Sequence, residues 1–357
     1  MNKKYTLCIC IPTYNRSNIL VPALSKYLSL KDQRFCITLQ DNCSTDGSFE
    51  RLSQILDNRI KLRQNFMNVG GISNSKAAVS QICDSEYIMF SIDKDELDID
   101  YLPKFINFLE KERPTFGFVD LYGERTHGFE IYNHGSEAVL HTSYLSKHPT
   151  GFFWRKDLLE EEMGKSYFKS QPEDFDFGFE LVCAHLAISH PAYIVHIPCI
   201  RHGKKLSTNI KAILSTSKTI IYNNSNYYFG VSKRIETFVI YLSDLLNLQL
   251  SSKEKERLSL LLLDRTMQLV STSLRQILHN NWESYHYNFE WRIMPLYEMI
   301  SNINNVMAEY KRIMYNTGLL DSRKVLKIWC RCILSSAKMS LKELIKRPKN
   351  IPHNIHD

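Results

Sequence analysis

Three groups of acidic residues stand where a folded α/β chain could use them. Asp41 follows the apolar run 35–39 and opens the polar loop 41–48. Asp93 and Asp95 follow the apolar run 87–92, within Ser-Ile-Asp-Lys-Asp-Glu. Glu173 and Asp174, with Asp176 behind them, precede an apolar helical stretch. Carboxylates at i and i+2 after a buried strand can converge on a hard cation, with Lys94 turned away. Mg²⁺ and Mn²⁺ take such oxygen ligands and bridge to substrate phosphates. The acidic run continues to Asp98 and Asp100, so a solvated helix N-terminus competes with that reading. An acidic pair ahead of a helix offers a general base, its pKa raised by a like charge or burial; capping is the rival. Asp41 also suits an Asx-turn, and Asp46, in Asp-Gly, a plain turn pair. His202 follows a strand-like run beside Arg201, Lys204 and Lys205, where a neutral imidazole can bind metal and the cations suit a diphosphate.

These residues need elements to hold them. Strand-like runs at 5–11, 35–39, 60–63 and 87–92 alternate with helical spacing at 19–30, 49–56, 73–82 and 102–112. Residues 12–16 read as a turn, and Gly70 and Gly71 as a loop. Such alternation predicts a parallel sheet with helices on both faces, and ligands then bind outside the carboxyl ends of the strands. The stretch 115–138 is mixed, and 192–200 is strand-like. From about 209 strand patterns vanish and long helical ones carry the chain to about 345.

Composition narrows the class. Hydrophobic residues make up 44% and charged residues 23% of the 357 residues, ordinary for a globular protein. The net charge of +7 suits nucleic acid, an anionic membrane or a phosphorylated substrate. No nucleic-acid module is present, so no nucleic-acid partner is expected. The nine cysteines are scattered with no Cys-x-x-Cys pair, against a zinc ribbon and in favour of a reducing cytoplasm. The first apolar run is too soon interrupted by Pro12 for a signal peptide, and no run of about eighteen apolar residues predicts a membrane span. Residues 322–349 carry many cations against one acid, Glu343. Such a basic amphipathic helix can lie on the inner face of an anionic membrane, or pack with its basic face in water.

Four motifs occur in order: Ile-Pro-Thr-Tyr-Asn-Arg (11–16), Asp-Asn-x-Ser-x-Asp-Gly-Ser (41–48), Asn-x-Gly-Gly (68–71) and Asp-x-Asp (93–95). With them the chain resembles family-2 glycosyltransferases of GT-A fold, closely over 5–100 and loosely over 150–205. The resemblance implies an α/β, Rossmann-like, mostly parallel sheet in a catalytic domain 1–208, followed by a helical region 209–357. Residues 1–115 would be the nucleotide-sugar half and 116–208 the acceptor half. The implied activity is inverting, metal-dependent transfer of one sugar from a nucleotide-diphosphate donor, a UDP-sugar favoured. The acceptor would be a glycan or lipid-linked, in cell-surface polysaccharide synthesis of O-antigen or capsule type. Residue by residue, Pro12, Thr13, Tyr14 and Arg16 would lie at the nucleotide and Asp41 would bond the base. Asn68 and Gly70 would line the donor pocket. Asp93 would touch ribose or a metal-bound water. Asp95 would ligate Mn²⁺ or Mg²⁺, with His202 as a further ligand. Asp174 would be the base, Glu173 its neighbour and Asp176 the reserve. The segment 149–155 resembles the start of the acceptor region, where Phe152 and Trp154 suit either sugar stacking or the core. No Gln-x-x-Arg-Trp motif follows, which implies a single addition. The alternative is a catalytically inactive GT-A-fold binding or scaffold protein.

Overall fold

In this computed structural model the described residues are 5–80, 84–121, 123, 125–172, 175–201, 231–280 and 289–345. Glu173, Asp174 and His202, and the basic residues 203–205 and 346–349, lie outside them. Strand β1 (Tyr5–Thr13) is apolar at nearly every position and buried on both faces, as a central strand of a parallel sheet must be. It pairs in parallel with β2 (Phe35–Asp41) and β4 (Ser85–Phe90), and β2 with β3 (Ile60–Gln64). Strand β8 (Phe152–Arg155) runs antiparallel between β4 and β6 (Phe116–Val119). Strand β9 (Ala192–Val195) is parallel to β6, and β7 (Phe129–Tyr132) is antiparallel to β9 at the edge. The sheet order is β3-β2-β1-β4-β8-β6-β9-β7. Only β7 and β8 oppose the rest, so the eight-stranded sheet is mostly parallel.

Helices cover both faces. Leu7, Ile9, Ile37, Met89 and Phe153 cluster with Leu20 and Leu24 of α1 (Ser17–Leu28) and Phe105 of α4 (Leu102–Glu112). On the other face, Phe90 and Trp154 meet Phe179 of α8 (Gly178–Ser189), with ring centroids 5.0 and 5.3 Å apart. Helix α3 (Gly71–Val79) packs on β1 and β2. Shorter helices complete the unit: α2 (Ser48–Ser53), α5 (Ser136–Thr142), α6 (Lys156–Gly164) and α7 (Ser166–Lys169). A two-stranded ribbon, β5 (Glu96–Leu97) with β10 (Ile200–Arg201), returns the chain to the loop after β4.

One reading changes, and one left open closes. Residues 12 and 13 continue β1 instead of turning, pairing with Gln40 and Asp41. The β4 ladder ends at Cys10 and Phe90, so the N–H that proline lacks falls past that ladder. Phe152 and Trp154 are 1% and 0% exposed; they are core, not a sugar platform. The halves 1–115 and 116–208 share one sheet, because β8 joins β4 to β6.

The chain forms two compact units, Met1–Lys205 and Leu206–Asp357. In the second, α9 (Val231–Asn247), α10 (Ser252–Asn280), α11 (Phe289–Met314) and α12 (Ser322–Ile345) pack on one another. Phe238, Leu242, Leu263, Met267, Val306 and Val325 fill their core. Among the described residues no helix is long and apolar enough to cross a membrane.

One buried guanidinium fastens the first unit's edge. Arg59, 4% exposed, donates to the carbonyls of Leu28, Leu30 and Asp32 and to the carboxylate of Asp57. Arg59→Ala therefore strands those acceptors at the end of α1. A loss of about 3 kcal/mol is expected, read as a lower midpoint in urea unfolding followed by circular dichroism.

Candidate active site

Strand order reverses between β2-β3 on one side of β1 and β4 on the other, and a crevice at the strands' carboxyl ends follows. A cavity of about 770 Å³ occupies it. Pro12, Thr13, Tyr14 and Arg16 line it from the β1 side, and Asp93 and Lys94 from the loop after β4. Phe175 and Asp176 line it ahead of α8. The N-terminus of α3 forms another wall, through Gly70, Gly71, Ile72 and Ser73. That helix has no side-chain cap bond and no acid in its first turn, so its first N–H groups and positive dipole end face the cavity. Gly70 has φ +82°, a conformation that favours glycine. Lys76, one turn further on, also lines the cavity, its ammonium 5.6 Å from the centre of the Phe168 ring.

Side-chain amides hold the start of α3 in place. Gln40 donates to Asn65 (2.7 Å), and Asn65 donates to Asn74 (2.7 Å) and Asn42 (3.0 Å). Asn42 donates to Asn68 (2.9 Å), while Asn74 donates to the Gln40 carbonyl (3.0 Å). The loop's own N–H groups join in: Val69 donates to the Asn42 side chain and Gly70 to that of Asn68.

The four aspartates examined by the motifs take different positions. Asp93 is at the cavity, its side chain 17% exposed. Burial pushes its carboxyl above the usual carboxylate range. Arg16, the Thr13 hydroxyl, Lys94 and the Tyr14 N–H oppose that rise. The Thr13 hydroxyl donates to Asp93 Oδ2 at 3.2 Å and Arg16 Nε lies 4.0 Å from the same oxygen. Asp95 is turned inward, its side chain 2% exposed. It accepts from the Thr150 hydroxyl at 2.6 Å, with His148 Nδ1 3.7 Å away. It lines a neighbouring space of about 230 Å³ against α1. Asp93 lines that space as well, but the two carboxylates do not share the larger cavity. The Asp95 N–H bonds the Ile92 carbonyl, closing a turn, and i and i+2 share a face only on extended backbone.

Asp41 is fully buried and does not line the cavity. It accepts from the N–H and hydroxyl of Ser44 and from Gln64, the bonds of an Asx-turn. Asn68 is exposed and off the cavity wall, bonded to Asn42 and to the Gly70 N–H. Asp46 accepts from the Ser48 N–H, as a turn residue does. Among the described residues no three His, Cys, Asp or Glu side chains converge as a cation site. Of the expected ligands among the described residues, only Asp93 faces the cavity. The described residues alone therefore do not fit the expected Asp93–Asp95–His202 set. Sequence reasoning missed Lys76, Asn42 and Asn74. The signal for Lys76 was its place one turn beyond a glycine-opened helix N-terminus.

Residues 8–168 match the family model described as Glycosyl transferase family 2. Over that segment the chain is similar to family 2 glycosyltransferases, and by class it is a glycosyltransferase. No curated protein matches the chain. Among solved structures, S. aureus TarS 1-349 has a TM-score of 0.53 at 17% identity, over 93% of this chain and 91% of that one. The same protein in complex with UDP-GlcNAc gives 0.55 at 15% identity, over 93% and 92%. A longer TarS structure gives 0.50 at 14% identity, over 95% of this chain and 54% of that one. At these identities the likeness is one of fold, and that fold is GT-A.

Asp93 is a charged group that the fold holds at a cost. A raised folded pKa means that ionised Asp93 opposes folding above that pKa, and that the penalty vanishes as pH falls below it. Asp93→Asn should raise the ligand-free Tm at neutral pH by about 1–3 °C. The gain should disappear in acid, where both side chains are neutral. Differential scanning fluorimetry across pH checks both parts.

Proposed function

We propose that the chain transfers one sugar, with inversion, from a nucleoside diphosphate donor of the UDP-sugar class to a hydroxyl of a glycan or lipid-linked acceptor. The observation that carries the reading is the meeting of the uncapped α3 N-terminus, Lys76, Arg16 and Asp93 in one cavity at the ends of β1 and β4. Backbone N–H groups at a helix N-terminus bind phosphate oxygens, and Lys76 and Arg16 supply charge-assisted donors. TarS, which has the same fold, has been crystallised with UDP and with UDP-GlcNAc, and this supports the donor class. Tyr14, 39% exposed on the cavity wall, offers an aromatic face to the nucleotide.

The chemistry follows from that arrangement. The acceptor hydroxyl attacks the anomeric carbon, its proton passes to a carboxylate, and the bond from that carbon to the diphosphate oxygen breaks. The leaving diphosphate carries the developing charge, which fixed donors around it stabilise. Asp174 is our base, with Glu173 beside it. Asp176, which lines the cavity, is the reserve. Mn²⁺ or Mg²⁺, when bound, would add Lewis-acid neutralisation of the diphosphate. Asp93, on the cavity wall, is the side chain that would hold it. Asp41, Asn68 and Asp95 act as organisers of the surrounding loops.

A role in surface-polysaccharide synthesis at the cytoplasmic face of the membrane belongs to the same proposal, as does contact of 322–349 with anionic lipid. Leu326 and Leu334 of α12 are exposed, which supports such a contact. Lys324 and Arg331 are bound to Glu256 and Asp264 of α10, which subtracts from the basic face.

A screen of UDP-sugars with Mn²⁺ tests the reading. Lys76→Ala should weaken UDP binding at least about tenfold, the loss of one charge-assisted bond. Asp174→Asn should bind UDP normally yet transfer about 10²–10⁴-fold more slowly. Full transfer by Asp174→Asn together with loss in Asp176→Asn would move the base to Asp176. UDP binding by the wild type with no transfer to any acceptor favours the scaffold reading.

A further inference from the structure

The loop between β3 and α3 ends in an apolar tip that the active site does not use. Phe66 is 99% exposed, Met67 61% and Val69 42%. Free side chains of this size rarely stand together in water without a partner, and a contiguous apolar patch marks an interaction site. The tip is not a loose end. Its base is the amide ladder of Gln40, Asn42, Asn65, Asn68 and Asn74. Across the gap, the Cys43 thiol meets the Phe66 carbonyl at 3.8 Å. Phe66 and Met67 are thus held outward on an ordered backbone, and docking them costs little ordering entropy.

Charge beside the tip selects the partner. No acidic residue occurs from 58 to 83. Lys61 and Arg63 lie on β3, leading into the tip, and make no ion pair among the described residues. Arg59, by contrast, is spent on Asp57. A protein partner would need a far wider face, since stable interfaces use about 20–30 residues a side. Two or three apolar side chains flanked by cations suit the boundary of an anionic bilayer, where rings and thioethers enter the acyl layer and cations meet headgroups. Val69, at the tip's base, also lines the cavity.

We propose that Phe66 and Met67, flanked by Lys61 and Arg63, insert into an anionic lipid surface and bring the mouth of the donor cavity to it. The proposal goes beyond the transfer reading and stands or falls without turnover. A lipid-linked acceptor would then meet the site at the surface that carries it.

The test is sedimentation of the full chain with vesicles of phosphatidylglycerol and phosphatidylcholine, against vesicles of phosphatidylcholine alone. The wild type should bind the anionic vesicles, and less well as salt rises. Phe66→Ser with Met67→Ser should lower the affinity at least about tenfold, as withdrawal of two apolar side chains implies, with Tm unchanged. Lys61→Glu with Arg63→Glu should lower binding to anionic vesicles only. Leu56→Ser, at an exposed leucine ahead of β3 and away from the tip, should leave binding unchanged, while Leu326→Ser with Leu334→Ser reads the share that α12 contributes. Three outcomes overturn the proposal: no wild-type binding, undiminished binding by the Phe66 and Met67 pair, or loss only in the α12 pair. A concentration-dependent dimer that the Phe66 and Met67 pair abolishes, seen by sedimentation velocity without vesicle binding, would likewise assign the tip to a second copy and overturn it.

Discussion

The cavity depends on one constraint: amide groups buried behind it must all find partners. Gln40, Asn42 and Asn74 are each at most 5% exposed. A buried amide left unpaired costs about 1–3 kcal/mol, and a half-satisfied network is worse than none. The ladder meets that demand by enlisting backbone as well as side chains. Asn74 reaches back to the Gln40 carbonyl, and the Val69 and Gly70 N–H groups are drawn onto Asn42 and Asn68. Satisfying the amides and fixing the start of α3 are therefore one event. The anion-binding end of that helix has no freedom left to turn from the cavity.

Buried carboxylates do the same for the other loops. Asp41 gathers the Ser44 N–H and hydroxyl and so shapes the loop after β2. Asp95 takes the Thr150 hydroxyl and thereby ties the loop after β4 to the chain entering β8. Glu180, 1% exposed in the first turn of α8, accepts the N–H groups of Leu145, Ser146 and Lys147. Tyr144 and Ser146 have positive φ, a strain that three charge-assisted bonds can offset. These three acids organise loops, whereas Asp93 and Asp176 line the cavity.

That division explains what could be read in advance. The strands 5–11, 35–39, 60–63 and 87–92 were legible because burial on both faces forces continuous apolar runs. The parallel order follows from the helices between them. Pro12, Thr13, Tyr14, Arg16, Gly70 and Asp93 were legible as cavity residues because they sit at strand ends or at a helix start, where topology alone sets position. The hydrogen-bond partners of Asp41, Asn68 and Asp95 were not legible, for a common reason. Residue type and spacing identify a carboxylate or amide near a site, but its direction depends on which long-range donor captures it. Thr150 captures Asp95 from 55 residues away, and nothing in Asp-x-Asp encodes that partner. Phe152 and Trp154 stayed open in advance for a related reason, since aromatic residues fill cores as readily as they stack on sugars.

The electrostatics of the cavity then bear on which residue matters most. Asp93 is anionic when ionised, and a diphosphate is more so. Two anions in a partly desolvated crevice repel strongly, and burial already disfavours the charge on Asp93. They can share the cavity only with positive charge between or beside them. Arg16 is fixed where that demand arises, 4.0 Å from Asp93 Oδ2 and on the cavity wall. Its guanidinium has several N–H groups and can serve a carboxylate and a phosphate at once, whereas Lys76 and the α3 N-terminus approach from a separate wall. On the proposed reading, Arg16 would make Asp93 and an anionic donor compatible, its planar fork fixing both in place where a lysine would offer only a point charge.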